Sequence, residues 1–234
     1  MSSLLDQYER RARLAPVLLA GLPVAVLLVS LGATSRWPWA AAGLIAQAGA
    51  VIPLTELARH RGKHVESVLW IKWGQSPLAR LLADTRSPTA ALARRYISDL
   101  YPNVVLASGA RVVDPLDMQR QYEVVGDILR HKVRRLSGNE VVTAENRSYG
   151  FHRNLLGVRR VGLVASGVAV LSAAALLVAL EDSSGSWPAL ASGVAMLGFW
   201  LWYPSEQRVR QAGERYAEAV IGLIASQAAD STSR

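Results

Sequence analysis

Four stretches of this chain carry no charged side chain, and each is long enough to cross a bilayer. Leu14 to Ser35 holds 22 residues, Trp37 to Thr55 holds 19, Val161 to Leu180 holds 20 and Ser183 to Ser205 holds 23. About 20 residues of helix span the ~30 Å hydrocarbon core. No water is there to bond backbone N–H and C=O groups, so such segments must be helical. The apolar fraction of 51% would fit a water-soluble protein, but its concentration in four blocks does not. The first block follows a charged start, yet it exceeds a signal-peptide core and a second block follows at once. We read it as retained.

The basic residues orient these spans. Three precede the first block, one lies between the first two, and eighteen lie between residues 59 and 160. None separates the last two, and four follow the final block. Twenty-five of 26 therefore fall on one side, which the positive-inside rule assigns to the cytosol. Trp37, Trp39, Trp187, Trp200, Trp202 and Tyr203 sit at block ends, where an aromatic ring with a polar tip favours the interface. The expected fold is an all-α membrane protein: four transmembrane helices in two hairpins with a helical cytosolic domain. Its parts are a cytosolic N-terminus (1–13), hairpin 1 (14–58), a cytosolic helical domain (59–158), hairpin 2 (159–203) and a cytosolic amphipathic C-terminal helix (204–234).

Within the blocks, Ala42, Ala46 and Ala50, and Gly162 with Ser166, recur at four-residue spacing that lets helices approach closely. Gln47 is an interhelical hydrogen-bonding group, and Pro23 should bend the first span. Without an intramembrane acid or base, a proton relay has no carrier.

The cytosolic segment reads as helices with marked starts. Span two runs on to about Trp73. Ser76-Pro77, Ser87-Pro88 and Asp114-Pro115 each pair a capping side chain with a proline in the first turn. Leu92, Tyr96 and Leu100 recur at helical spacing. Tyr122, Val125, Leu129, Val133 and Leu136 make one apolar face, Gly138 sits where a C-cap glycine belongs, and Asn139 caps the last helix. Val104–Leu106 and Val112-Val113 could instead pair as short strands. In the tail, Val209, Ala212, Tyr216, Ala219 and Leu223 form a three-then-four seam that docks on the protein's own cytosolic domain or joins subunits.

Residues 59–160 hold eighteen basic and nine acidic side chains. The arginine pairs Arg94-Arg95, Arg134-Arg135 and Arg159-Arg160 are candidate contacts for lipid or ligand phosphate. Anionic headgroups account for this charge more simply than nucleic acid does, although a nucleotide or protein ligand stays open. Glu56, His60 and His64 share a helix face that could bind a metal, with His131 or His152 supplying a third ligand. Arg59, Arg61 and Lys63 crowd that face, and a solvated surface is the preferred reading. No phosphate loop, nucleophile elbow or paired-cysteine motif occurs, and the chain has no cysteine. We expect no enzyme activity, no cofactor and no resident metal.

Two patterns stand apart. In Leu69-Trp70-Ile71-Lys72-Trp73-Gly74-Gln75-Ser76-Pro77, Trp70 and Trp73 share a helix face. In Glu145-Asn146-Arg147-Ser148-Tyr149-Gly150-Phe151-His152-Arg153-Asn154-Leu155-Leu156-Gly157, two glycines seven apart allow another helix to come close, and Asn146 and Asn154 can bridge polar groups. Trp70, Trp73, Asn146, Tyr149, Gly150, Arg153 and Asn154 are thus a candidate joint between the cytosolic domain and span three. Together with Tyr8-Glu9-Arg10-Arg11-Ala12-Arg13-Leu14-Ala15-Pro16, these patterns resemble a set of bacterial multi-pass inner-membrane proteins to which no activity is assigned. The resemblance runs from the first span to span three and fades over residues 84–140. It implies a bacterial inner-membrane protein and transfers no functional residue. The expected role is a non-enzymatic, channel-like, homo-oligomeric effector whose basic domain senses a ligand or partner, as in antiphage systems. The alternative is a scaffold that tethers a soluble partner.

Overall fold

The computed structural model describes residues 9–31, 37–101, 115–179 and 186–232. Helix accounts for 90% of them, and no strand occurs among them. A π-helical turn, Glu9–Leu14, leads into α1 (Ala15–Leu31). Then come α2 (Trp37–Trp73), α3 (Pro77–Ala83), α4 (Pro88–Leu100), α5 (Pro115–Val133), α6 (Glu140–Gly157), α7 (Arg159–Ala179), α8 (Trp187–Trp202) and α9 (Glu206–Thr232). The possible strands at Val104–Leu106 and Val112-Val113, and the Asp114 cap, lie outside the described residues. So do the side chains of Ala42, Ala46, Gln47 and Ala50.

The helix ends follow from local chemistry. Ser76 caps α3 by accepting the Ala79 N–H at 3.3 Å, and Ser87 caps α4 by accepting that of Ala90 at 3.2 Å. Gly74 and Gly138 take φ of 84° and 76°, a region costly for any residue with a Cβ; Gly74 directly follows α2 and ends it, while Gly138 lies five residues past the end of α5, in the turn that leads to α6. Asn139 stands directly ahead of α6 as expected, its carbonyl accepting the Thr143 N–H at 2.8 Å, while its side-chain amide reaches back to the carbonyls of Val133 and Arg134 beyond the end of α5.

The chain divides into two compact units. The first comprises residues 1–66 and 150–208. In it α1, α7 and α8 pack on one another. Among the described residues two helices are long and apolar enough to cross a membrane, Ala12–Leu31 and Arg159–Ala179; Trp187–Trp202 is apolar but shorter. At 1.5 Å per residue α8 rises roughly 24 Å, short of a full hydrocarbon core.

The packing of these helices is inverted relative to a water-soluble core. The buried residues of α7 are Gly162, Ser166, Ala169 and Ala173, all small. Its exposed positions include Val164, Val168, Leu171 and Val178. In the same way α1 exposes Leu18, Leu22 and Val29, and α8 exposes Val194 and Leu201. Small buried residues permit close packing: Gly162 lies flat against the Trp200 indole, and Gly193 faces Val170 and the Ser166 carbonyl. Trp200 is therefore fully buried, among Val17, Ala20, Ala58, Leu155 and Val158, and does not mark an interface. Trp187 and Trp202 are exposed, as interfacial rings would be.

The second unit comprises residues 67–149 and 209–234. It follows the ordinary pattern. Tyr122, Val125, Leu129 and Val133 are buried on α5, while Leu136 is half-buried. On α4 the helix expected from the spacing of Leu92, Tyr96 and Leu100 is present; its buried stripe is Ala90, Ala93 and Ile97, while Leu92 and Leu100 face outward. The tail seam docks within this unit. Val209, Ala212 and Tyr216 are buried as expected, extended by Ala217, Val220, Ile221 and Ile224. Gly213 sits against Pro77 and Tyr149, where a Cβ would lie 2.9 Å from the proline ring.

Candidate functional site

In the second unit the first of the two marked patterns builds a continuous polar chain. Glu123 of α5 accepts the Ser76 backbone N–H at 2.6 Å and the Ser76 hydroxyl at 2.7 Å. The same hydroxyl oxygen accepts from Ala79 N–H and, at 3.4 Å, from the Arg130 guanidinium. Its one proton and both lone pairs are used, so Ser76 clamps a helix start and has no free electron pair for nucleophilic attack. Arg130 lies 5.1 Å above the Trp70 ring. The Trp70 indole donates to the Tyr149 hydroxyl at 3.2 Å, and Tyr149 stacks in parallel on Tyr216 at 6.3 Å. Gln119 bonds the Gly74 carbonyl, and Arg80 of α3 pairs with Glu214 of α9. Residues from α2, α3, α5, α6 and α9 thus meet in one network. Trp73 closes α2, half-buried. Asn146 lines a cavity of about 30 Å³ with Asn139, Thr143 and Tyr216, large enough for one water.

Beside this network, α3 and α9 border an open cleft of about 460 Å³. Its lining mixes Arg80 and Arg86 with Asp84, Glu214 and Glu218. The Arg86 backbone N–H donates to the Asp84 carboxylate at 3.0 Å and its side chain at 3.3 Å; these bonds hold the Asp84 carboxyl below its usual range.

In the first unit the second pattern makes a different arrangement. Gly157 meets Gly62 of α2 backbone to backbone. A Cβ on Gly157 would stand 2.7 Å from the Gly62 nitrogen, and one on Gly62 would overlap the Asn154 side chain. Gly157 was marked by the sequence; Gly62 was not, because its neighbours Arg61 and Lys63 look like open surface. Asn154, 1% exposed, donates to the Ala12 carbonyl at 2.8 Å. The reason is covalent. Pro16, four residues on from Ala12, has no N–H to offer that carbonyl, and Asn154 supplies the donor. The Asn154 carbonyl oxygen is itself buried without a hydrogen-bond partner. Arg153 pairs with Glu66 in a largely buried bridge. Gly150 is buried.

The arginine pairs behave alike wherever they are engaged. Arg94 donates to the carbonyls of Leu82, at 2.6 Å, and Asp84, at 3.1 Å, while Arg95 faces out. Arg159 donates to the carbonyls of Trp200, at 3.0 Å, and Leu201, at 2.8 Å, closing the end of α8, while Arg160 faces out. Arg134 and Arg135 are both exposed. Adjacent helical residues point about 100° apart, so one arginine of a pair can satisfy carbonyls while the other meets solvent. His60 and His64 are exposed, and His152 packs against Phe151 and Tyr203. Among the described residues no group of three His, Cys, Asp or Glu side chains is placed to hold a metal.

Comparison with protein-family models, curated proteins and solved structures gave no match.

Proposed function

We propose that the chain is a bacterial inner-membrane protein that crosses the bilayer four times, as two hairpins. Both termini and the unit of residues 67–149 and 209–234 lie in the cytosol. The observation that carries this reading is the inverted packing of α1, α7 and α8. On α7 the buried residues are all small, while Val164, Val168, Leu171 and Val178 face outward, and only 33% and 22% of the two span windows are buried within the protein. A soluble core helix of that hydropathy would be mostly buried. Hydrocarbon is the solvent in which bare apolar helices are stable. The second unit, with large apolar side chains inside and charge outside, suits water.

On this footing the protein acts as a channel-like, oligomeric effector and not as an enzyme. The cytosolic unit receives a ligand or partner. Any conducting path runs between copies, because α1, α7 and α8 are closely packed through glycine and alanine within one copy. The test is flux of ions and dye from liposomes holding the purified full chain, with cytosolic nucleotides or cell extract added. Leakage that depends on an added component supports the proposal. Tight liposomes under every addition, with inserted protein verified, overturn it. Recovery of a monomer bound to one stoichiometric soluble protein establishes the tether instead.

A further inference from the structure

We propose that the cleft between α3 and α9 binds a small zwitterion with an apolar body, an aliphatic amino acid or a short peptide of such residues, with its ammonium at Glu218 and its carboxylate at Arg86. This names a ligand for the cytosolic unit and rests on the reading above that the unit receives one. Local packing sets the walls. Gly213 lets α9 close on Pro77 at the start of α3, where a Cβ would lie 2.9 Å from the proline ring. Further along α9, Glu214, Ala217 and Glu218 line the cleft at spacings of three and four, which place them on one helix face. Helix α3 and the turn after it supply Arg80, Leu81, Ala83, Asp84 and Arg86.

Most of the charge in this lining is committed within the protein. Glu214 is shared by Arg80 and, at 3.1 Å, by the Arg210 Nε. Asp84 accepts from the Arg86 backbone and from its Nε. Three groups keep unmet capacity. Glu218 is exposed and makes no ion pair or hydrogen bond among the described residues. The Arg86 side chain is 90% exposed and bonds through Nε alone, so both terminal nitrogens of its fork are open to a second carboxylate. The half-buried Gln75 amide has no partner among the described residues, and a peptide group would satisfy both its donor and its acceptor. A free anion, an open cationic fork and an unmet amide thus surround the apolar surface of Pro77, Leu81, Ala83 and Ala217. The charge balance disfavours other classes. Three carboxylates and two guanidiniums line the cleft, so a polyanion such as a nucleotide meets net negative charge and a plain cation meets both arginines. The volume of about 460 Å³ falls in the range of pockets that enclose a small organic ligand.

The experiment is calorimetric titration of the purified full chain in detergent with leucine and with leucyl-leucine, each also supplied with its amine acetylated or its carboxyl amidated. One of the unblocked ligands should bind saturably at millimolar concentration or below, and the tighter of the two tells free amino acid from peptide. Blocking either end should weaken it roughly tenfold or more, the worth of one charged hydrogen-bonded contact. Glu218→Gln should weaken the unblocked ligand by a similar factor and leave the acetylated one unchanged; Arg86→Gln should do the same with respect to the amidated one. The blocked ligands test both contacts on the wild type without any substitution. No saturable binding by either unblocked ligand, or equal binding after acetylation or amidation, overturns the site. Dye release by some other solute alongside that failure leaves the effector reading standing. Zwitterion binding to protein in liposomes that stay tight supports the site and overturns the effector reading instead.

Discussion

Single residues carry more of this structure than their types announce. Asn154 was legible as a polar group that could bridge, but its partner was not, since the Ala12 carbonyl lies 142 residues away in sequence and needs the amide because Pro16 lacks a donor. Asn154→Ala should cost about 1–3 kcal/mol by leaving that carbonyl unpaired, read as a lower unfolding midpoint of the purified protein. Asp84 provides a second test. Its carboxyl is held low by the Arg86 backbone and side-chain bonds. An acid whose folded pKa is depressed stabilises the fold above its unfolded pKa, near 4, and loses that contribution as pH falls through the lower folded value. Carbon-detected titration should find Asp84 below ordinary aspartate, and Arg86→Ala should bring it upward. A titration at the ordinary value in the wild type would remove the bond pair from the account.

At the scale of elements, the helices were largely legible and their mutual contacts were not. The caps at Ser76 and Ser87 and the run of α2 to Trp73 follow from local rules, and the structure has each of them; Gly138 has the left-handed backbone of a C-cap but falls five residues beyond Val133, where α5 ends. On α4 the spacing of Leu92, Tyr96 and Leu100 marks the helix, but its buried face was not legible, because Leu92 and Leu100 share a face as regular as that of Ala90, Ala93 and Ile97, and periodicity alone does not say which face meets a neighbour. Trp200 failed similarly, since an aromatic near a helix end fits either an interface or a pocket, and the flat Gly162 beneath it decides for the pocket. Glycines give the sharpest contrast. Gly62→Val should separate α2 from α6, lowering stability by at least the ~1–3 kcal/mol typical of overpacking. Gly222 has nothing near the position its Cβ would take. Gly222→Ala should raise stability by roughly 0.5–1 kcal/mol through helix propensity. Thermal unfolding of both variants checks the pair, and equal effects would refute the crossing geometry.

For the whole molecule, the sequence carried the segregation of apolar from charged blocks, and the helical composition agrees with it. Two of the four expected spans, Ala12–Leu31 and Arg159–Ala179, have the length and hydropathy to cross. The crossings by the first part of α2 and by the short α8 belong to the proposal, because uncharged length alone does not separate a full span from a shallower apolar helix. The candidate phosphate contacts were half legible. Doubled arginines are visible in sequence, but only the fold tells that Arg94 and Arg159 are committed to carbonyls. The absence of cysteine makes the central claim directly measurable. Single cysteines at Ser35, Ser137, Ser184 and Ser226 would be exposed to an impermeant maleimide on intact cells and then on opened membranes. The account predicts labelling of Ser35→Cys and Ser184→Cys from outside, and of Ser137→Cys and Ser226→Cys only after opening. Labelling of Ser35→Cys and Ser184→Cys from opposite sides, or recovery of the chain in the soluble fraction, would contradict it.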